Sequence, residues 1–319
     1  MLSIYPESVA ERDKWILAQR PARNVLNPRE PYLYFVEEEM TANGRTVPVA
    51  TVFLSNRECP WRCVMCDLWR NSLSESVPPG AIPEQINFAL HALQPARIIK
   101  LYNSGSFFDP RAVPVEDYPE IARLTRHFER VVVECHPSLV GEKCIAFRSI
   151  IRGRLEVAMG LETAHPDTLE KLNKRMTLEQ FESAADFLQS NDIDLRVFVL
   201  AQPPFMNPDE HLHWAKRSLD FAFDCGASVV TLMPTRARNG AMEALVGNGE
   251  VTTRLSVLED ALSYGLSLKR GRVFTDLWEI RKDAECPSCF DKRVERLHAL
   301  NLAQDWIAAV HCGQCEGRR

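Results

Sequence analysis

The sequence predicts an α/β fold in which six strand–helix units follow one another along the chain. Three observations lead to this fold class. Six short runs are apolar on both faces, as parallel strands covered by helices are. Each run precedes a segment with apolar residues at helical spacing, and a length of 319 residues suits two domains or one α/β barrel. Such alternation builds a barrel or an open doubly wound sheet, and in both the functional residues collect at the carboxyl ends of the strands.

The elements follow in order. The first 20 residues are predicted to be helical, and residues 31–55 form two extended runs joined at Asn43-Gly44, a hairpin signal because both residues tolerate positive φ. The predicted strands are 49–55, 97–103, 130–134, 155–162, 194–202 and 228–235, and the predicted helices are 83–94, 115–128, 141–151, 166–173, 178–190, 208–226 and 251–265. This organisation predicts an N-terminal extension (1–48), a repeat domain (49–278) and a C-terminal segment (279–319).

The composition limits the classes of function. A formal net charge of −5 argues against broad, sequence-independent binding of nucleic acid, although a local basic patch is compatible with it. No run of 18 apolar residues indicates a membrane span, and the N-terminus lacks the pattern of a secretory signal. The ten cysteines are therefore interpreted as metal ligands or reduced thiols, and we expect a cytoplasmic protein with no membrane partner.

Three cysteines, Cys59, Cys63 and Cys66, directly follow the first strand of the repeat domain. Three thiolates are one ligand short of a closed tetrahedral zinc site and of a four-cysteine iron–sulfur cluster. The missing ligand can be an open coordination position, which catalysis by a metal requires. The alternatives are a zinc site completed by a distant His or Cys, and a chance grouping of buried cysteines.

This C-x3-C-x2-C loop resembles the signature of radical S-adenosylmethionine (SAM) enzymes, and the resemblance extends over roughly residues 49–240. It implies a partial (β/α)6 TIM-like barrel whose three thiolates hold a [4Fe-4S] cluster, with SAM chelating the fourth iron. Reductive cleavage of SAM then yields methionine and a 5′-deoxyadenosyl radical that takes a hydrogen atom from the substrate. Met65 departs from the family pattern, which places an aromatic residue near the adenine at this position.

The resemblance also implies SAM-binding residues at the ends of the next three strands. A short segment after the second strand corresponds to the family's Gly-rich contact with the SAM amino group, although a plain turn is the alternative. Glu134 and Glu162 end the third and fourth strands, where a carboxylate can accept from ribose hydroxyls or pair with the SAM amino group. Helix capping or surface charge is the alternative for both. The residues of the short segment are Asn103, Ser104, Gly105 and Ser106.

Residues 160–181, GLETAHPDTLEKLNKRMTLEQF, are similar to the elongator-type and methylthiotransferase-type branch, in which this stretch lines the SAM pocket. Lys174 and Arg175 then supply positive charge toward a carboxylate or phosphate, or are solvated cations at a helix end. With LYNSGSFFDP and PPF, the pattern is most similar to the radical SAM lyases that partner archaeosine synthase in tRNA modification, and to their bacterial relatives.

Arg196 lies inside the apolar fifth strand, so it must be paired or point into the barrel mouth, and a contact with the SAM carboxylate is expected. Arg236 and Arg238 follow the sixth strand on the expected substrate side, although a surface loop is the alternative. The remaining expected cofactor contacts are Gln202, Leu232 and Met233.

Two C-x2-C pairs, Cys286/Cys289 and Cys312/Cys315, lie in the C-terminal segment. Four cysteines satisfy a closed tetrahedral zinc site or an auxiliary [4Fe-4S] cluster, and zinc is favoured. Disulfides or free thiols are the remaining alternative. The residues between the pairs are predicted to be helical.

Together these features predict a radical SAM enzyme acting on a small-molecule or nucleoside-type substrate, with lyase, isomerase or transferase chemistry left open. It needs an electron donor such as flavodoxin or ferredoxin. A tRNA-modifying lyase is the alternative within the family. A non-enzymatic alternative, a metal-holding adaptor or electron carrier, is disfavoured because the first group has three ligands rather than four.

Overall fold

The computed structural model describes residues 5–246, 254–278, 280 and 286–315, and its strands form a single sheet in chain order. β1 pairs antiparallel with β2, and every following pair is parallel. The strands are β1 Leu33–Met40, β2 Thr46–Leu54, β3 Ile98–Asn103, β4 Arg130–Glu134, β5 Arg154–Glu162, β6 Asp194–Leu200, β7 Val229–Met233 and β8 Arg272–Thr275. All six predicted strands occur, as β2 to β7, and the short β8 was not predicted.

The helices connect successive strands and cover one face of the sheet. They are α1 Val9–Gln19, α2 Ala81–Ala92, α3 Tyr118–Leu124, α4 Glu142–Ile150, α5 Pro166–Lys171, α6 Leu178–Ser190, α7 His211–Asp224, α8 Ala241–Val246, α9 Leu255–Ser267 and α10 Phe290–Ala303. None of the helices in the described ranges combines the length and apolar content that a membrane span needs.

The predicted domain boundaries stay predictions. The first, between residues 48 and 49, falls inside β2, because the hairpin of β1 and β2 is part of the sheet. Its turn has the expected glycine, since Gly44 adopts a φ of +73° and the Thr41 N–H donates to the Arg45 carbonyl at 2.9 Å. The second boundary, at residue 279, lies outside the described residues.

The two faces of the sheet have different contents. The outer face carries the large apolar core, in which alternate strand residues such as Val52, Leu101 and Val133 are fully buried against the helices. The inner face carries a small apolar cluster that includes Val49 and Val132, together with charged side chains. Burial on both faces explains why the strands are apolar runs rather than alternating patterns.

A contact between distant strands shows that the sheet is curled. Glu39 of β1 contacts Arg196 of β6 at 2.6 Å. Five strand spacings in a flat sheet would separate these strands by about 24 Å, so the sheet must bend round to bring them together. β1 and β8 remain unpaired edges, and α10 contacts both of them. The predicted α/β partial barrel with additional terminal segments is confirmed, with eight strands.

The inner face near β1 holds a buried ionic network. Glu39 pairs with Lys100 at 2.6 Å as well as with Arg196, and Arg196 also pairs with Glu156 at 2.6 Å. Burial acts to raise the pKa of Glu39, but Arg196 and Lys100 outweigh it, and the pKa is lowered. Glu39 therefore stays ionised and connects three strands of the curled sheet.

We predict that Glu39→Gln lowers the free energy of unfolding by about 3–5 kcal/mol, because it leaves two buried cations without their shared carboxylate. Since the folded-state pKa of Glu39 is depressed, its contribution is present above about pH 4.3, the usual value, and is lost as the pH falls. Urea denaturation followed by circular dichroism at pH 7 and at pH 3.5 measures both effects. The exposed neighbour Glu38, changed to Gln, is the control and should stay within about 0.5 kcal/mol of the wild type; an equal loss in both variants would contradict this role of Glu39.

Candidate cluster and cofactor site

The loop with the three cysteines follows β2 and is anchored from two other loops. The Val64 N–H donates to the Leu172 carbonyl at 3.0 Å, after α5. The Asn239 side-chain amide donates to the carbonyls of Val64 at 2.6 Å and Cys66 at 3.1 Å. These hydrogen bonds hold the cysteines at the carboxyl ends of the parallel strands, where an active site of this architecture belongs.

The three thiols are desolvated and close enough to influence one another. Burial raises the pKa of Cys59, Cys63 and Cys66 to about 12, and in each case a thiol of the same group adds to the rise. Such thiols do not ionise without a strong positive partner. A bound metal or cluster supplies that charge and deprotonates a coordinating thiol outright, so the donor set fits an iron–sulfur cluster.

The turn after β3 packs directly against the first cysteine. A Cβ on Gly105 would lie 3.3 Å from the Cys59 Cβ, closer than side chains normally approach. The turn is tight, since the Gly105 N–H donates to the Asn103 carbonyl at 2.5 Å. A larger residue here would push against Cys59, and the structure places this predicted SAM-binding segment beside the cysteine loop.

The other residues of this segment contact its surroundings. The Ser104 hydroxyl donates to the Asn71 carbonyl at 3.4 Å, and the Ser106 hydroxyl accepts from the His136 N–H at 2.8 Å. The Asn103 side-chain amide is buried and has no hydrogen-bond partner among the described residues. A buried polar group without a partner is rare in native proteins and can indicate a ligand contact.

Glu134, at the end of β4, accepts from the backbone N–H of Asn103 at 2.8 Å. Burial raises the pKa of Glu134 to about 8, although this hydrogen bond and Lys174 act in the opposite direction. The carboxyl group is therefore largely protonated at neutral pH unless a further donor or cation approaches it.

Glu162, at the end of β5, forms a buried ion pair with Lys174 at 2.7 Å. Burial acts to lower the pKa of Lys174, but Glu162 and Cys63 outweigh it, and the pKa is raised. Gly160 makes room for the pair, since a Cβ there would lie 2.5 Å from the Lys174 Nζ. Lys174 is thus not the solvated helix-end cation that was one of its two predicted environments.

A local irregularity positions this pair. The register between β5 and β6 shifts between Gly160 and Glu162, and Glu162 adopts a left-handed φ of +65°. Non-glycine residues in this conformation cost about 1–3 kcal/mol and cluster at functional sites. Arg175 leaves the pair and instead contacts Asp13.

Arg196 does not have the surroundings predicted for a SAM contact. Its Nε donates to Glu156 at 2.6 Å, and its two terminal nitrogens donate to Glu39 at 3.2 and 2.6 Å. The expectation that a lone buried arginine is paired holds. The partners, however, are carboxylates of the chain itself, so this pairing gives no support to the predicted contact with SAM.

Of the remaining predicted residues, Met65 lies on the cysteine loop itself, and the others lie on the loops after β6 and β7 or on β7. Met65 and Met233 pack in one apolar cluster beside the cysteine loop, whereas Leu232 belongs to the helix-facing core. Their contact with adenine stays a prediction. The Gln202 side chain accepts from the Arg254 N–H at 2.7 Å, Arg236 pairs with Asp276 at 2.5 Å, and the Arg238 carbonyl accepts from Arg70 at 3.0 Å.

The four C-terminal cysteines converge on one point. The Sγ atoms of Cys286 and Cys312 lie 3.9 Å apart, and those of Cys289 and Cys315 lie 3.8 Å apart. All four sulfurs lie within 4.8 Å of one another, and among the described residues the cysteines of the first loop do not form such a group. The segment between the pairs contains α10, as predicted.

Comparison with known proteins supports the resemblance. No protein-family model matches the sequence. An uncharacterized protein of Methanocaldococcus jannaschii is 23% identical over 236 residues, 69% of this chain and 64% of that protein. Archaeosine synthase subunit beta of Methanosarcina acetivorans is 26% identical over 220 residues, 65% of this chain and 64% of that protein. The matches therefore span less than two thirds of these relatives.

Solved structures share the fold. Streptococcus suis SuiB bound to S-adenosylmethionine matches with a TM-score of 0.52 and 10% identity, over 74% of this chain and 52% of that one. Methanocaldococcus infernus Elp3 matches with a TM-score of 0.50 and 14% identity, over 69% of this chain and 57% of that one. The chain shares the fold of these two structures. The predicted resemblance to radical SAM enzymes is supported at the level of the fold, and the similarity to archaeosine synthase subunit beta supports the predicted branch.

Sequence analysis missed how the N-terminal segment holds the cysteine loop. Arg20 pairs with Glu58, the residue before the first cysteine, at 2.6 Å, with both side chains buried. Ile16 packs in the same apolar cluster as Val64. The amphipathic pattern of α1 predicts a buried face but does not reveal what that face covers.

A second missed contact is a stack of Trp61 on His136, with ring centroids 3.8 Å apart. Burial lowers the pKa of His136 to about 3, so the ring is neutral. Its Nε2 donates to the Lys174 carbonyl at 3.0 Å, linking the cysteine loop to the backbone that carries the Lys174 side chain.

We predict that Asn239→Ala accelerates iron loss from the reconstituted protein about tenfold, because the carbonyls of Val64 and Cys66 lose their shared donor at a cost of about 1–3 kcal/mol. Release of iron to a chelator under anaerobic conditions measures this rate. Asn191→Ala is the control, since that amide donates to Phe187 at the end of α6 and should leave the rate unchanged. An Asn239→Ala protein that keeps its iron as long as the wild type would show that these bonds do not hold the loop.

Proposed function

We propose that this chain is a radical SAM enzyme in which Cys59, Cys63 and Cys66 hold a [4Fe-4S] cluster. The supporting observation is the position of three buried, mutually influencing thiols at the carboxyl ends of parallel strands, beside the Gly105 turn and near Lys174. The bound cluster supplies reductive cleavage of SAM to methionine and a 5′-deoxyadenosyl radical.

The chain's own residues prepare the site for this cofactor pair. Lys174 places a buried positive charge beside Cys63 and Cys59, and its pKa is raised partly by them, so it favours their thiolate forms. Glu162 is held by Lys174, and we infer that one carboxylate oxygen faces the ribose or amino group of SAM. Glu134 is assigned the same kind of contact, and a hydrogen-bond donor from SAM would lower its raised pKa.

We infer that the substrate is a small molecule or a nucleoside-type compound, with Arg236 and Arg238 on the substrate side. Modification of a nucleoside within tRNA is the second candidate, and it is favoured by the similarity to archaeosine synthase subunit beta. The single electron required comes from a donor such as flavodoxin or ferredoxin. A reducing compartment, the cytoplasm, suits thiolate ligands.

We further propose that the C-terminal cysteines hold one zinc ion. Sulfurs at about 2.3 Å from a tetrahedral zinc lie about 3.8 Å apart, which agrees with the separations of 3.9 and 3.8 Å. In an auxiliary [4Fe-4S] cluster the four thiolates bind four different iron atoms, which spreads them farther apart. The convergence of all four sulfurs therefore favours a single ion.

We predict that alanine at Cys59, Cys63 or Cys66 abolishes 5′-deoxyadenosine formation, by at least about a hundredfold, because each thiolate is a cluster ligand. The anaerobically reconstituted protein is incubated with SAM and dithionite, and 5′-deoxyadenosine, iron and sulfide are quantified. Cys225→Ala is the matched control, a buried cysteine at the end of α7 that should leave product formation unchanged. Full product formation by Cys63→Ala would rule out the proposed cluster.

We predict that the purified protein contains about one zinc per chain in addition to cluster iron, and that Cys289→Ser loses the zinc but keeps the iron. Because protons compete for thiolates, zinc retention should fall as the pH is lowered. Elemental analysis of the anaerobic protein tests this, with Cys144→Ala as the control. About four additional irons per chain, lost in Cys289→Ser, would establish an auxiliary cluster instead.

The tRNA alternative has its own measurement. Binding to unmodified tRNA should be detectable at low salt and weaken as salt rises, since phosphate contacts release counterions. Binding that is absent, or that does not change with salt, counts against a tRNA substrate without affecting the radical SAM assignment.

A further inference from the structure

The side of the cysteine loop next to Cys59 is surrounded by arginines. Arg20, Arg23 and Arg62 all pair with the Glu58 carboxylate. The Arg62 guanidinium also donates to the Cys59 carbonyl. One carboxylate thus gathers three cations at the residue immediately before the first cluster ligand.

Two more arginines extend this surface. Arg111 pairs with Asp109 at 2.9 Å, which is the main reason that its pKa is raised, and Cys59 adds to the rise. Arg57 lies near the same carboxylate, since it helps to lower the pKa of Asp109. We call Arg20, Arg23, Arg57, Arg62 and Arg111 the arginine face.

The surface is continuous. Arg57 bridges to Leu73, the Glu58 N–H donates to the Leu73 carbonyl at 2.9 Å, and Arg23 donates to the Ser72 hydroxyl at 3.2 Å. Part of the arginine face is accessible to a partner, because the side chains of Arg23, Arg62 and Arg111 are 33%, 21% and 51% exposed, whereas the side chain of Arg20 is buried.

The charge of this surface is opposite to that of the whole chain. Five guanidinium groups lie against the carboxylates of Glu58 and Asp109, and the exposed Glu75, two residues beyond Leu73, still leaves an excess of two positive charges. The chain as a whole carries −5. A positive patch on an acidic protein orients an acidic partner and repels it elsewhere.

We propose that the arginine face docks an acidic protein electron carrier that reduces the cluster. This inference rests on the proposed function. In the step it would serve, a reduced flavin carrier would give up one electron, passing from hydroquinone to semiquinone, and a cluster held by Cys59, Cys63 and Cys66 would accept that electron. Electron-transfer complexes are small and transient, so a limited charged surface directly beside a cluster ligand suits one.

A nucleic-acid occupant is less compatible with these contacts. Binding of nucleic acid depends on neutralising several phosphates with lysines and arginines. The arginine face has few cations in excess, and Arg20, Arg23 and Arg62 already share one carboxylate. A weakly positive surface of this kind suits complementary pairing with carboxylates of an acidic protein.

The test compares two reductants on a variant of the arginine face and on a control variant. Arg57→Gln/Arg111→Gln removes two positive charges from the arginine face, and Arg126→Gln/Arg152→Gln removes two exposed charges just before β4 and β5, at the opposite ends of the strands. Cluster reduction is followed by absorbance with photoreduced flavodoxin and, separately, with dithionite, which needs no docking. At low ionic strength the first variant should react about tenfold more slowly with flavodoxin and at the wild-type rate with dithionite.

The difference should shrink to less than about twofold in 0.5 M salt, since screening removes steering between exposed charges. The control variant should match the wild type with both reductants. Binding of oxidised flavodoxin, measured by fluorescence anisotropy, should weaken about tenfold in the first variant alone, and this readout does not depend on catalysis.

Three results would overturn the docking proposal. The first is an Arg57→Gln/Arg111→Gln variant whose cluster flavodoxin reduces at the wild-type rate. The second is an equal slowing of cluster reduction by dithionite, which would indicate a local structural role of these arginines. The third is a loss of tRNA binding in this variant without a loss of flavodoxin binding. A wild-type protein that cleaves no SAM with dithionite would instead contradict the proposed function, and flavodoxin binding would still decide the docking surface.

Discussion

The architecture depends on bringing buried charges together across the concave face of an open sheet. Glu39 reaches Arg196 and Lys100 only because the sheet curls, and the curl in turn leaves these groups away from bulk water. Desolvation makes each of them costly alone, whereas a network that satisfies all of them fixes one curvature and one register.

Buried charges are also paired at the carboxyl ends of the strands, where the Lys174–Glu162 pair lies beside the cysteine loop. Cys59, Cys63 and Cys66 are desolvated thiols, and Lys174, which pairs with Glu162, acts to lower the pKa of Cys59 and Cys63. The Lys174–Glu162 pair exists because Gly160 lacks a side chain and because Glu162 adopts a left-handed backbone. The strained backbone at the end of β5 therefore positions this charge pair close enough to Cys63 and Cys59 for the thiols to affect the pKa of Lys174.

Sequence patterns predicted the strands and the cysteine motif, which depend on neighbouring residues, but they did not predict contacts between residues that are far apart in the sequence. The six strands β2 to β7 were recognisable because burial on both faces produces continuous apolar runs, and the cysteine motif because its ligands lie within eight positions. The four-residue β8 is too short to have a period of its own. Arg196 was correctly expected to be paired, but its partner lies 157 residues away on a strand that reaches it only through the curl. The position of Lys174 depends on its pairing with Glu162 at the register shift in β5. The spacing of residues along the sequence does not predict that shift.

The two cysteine groups differ in how closely their sulfur atoms approach one another. The C-terminal sulfurs converge within 4.8 Å, as ligands of one ion must, and they come from two turns on either side of α10. The sulfurs of the first loop come from a single continuous segment and do not converge to that distance. The wider separation in the first loop is compatible with the proposed [4Fe-4S] cluster, in which each thiolate would bind a different iron atom. A closed four-ligand site stabilises a segment, whereas a site with an open position can react, so the two separations agree with the proposed structural role of the C-terminal cysteines and the proposed reactive role of Cys59, Cys63 and Cys66.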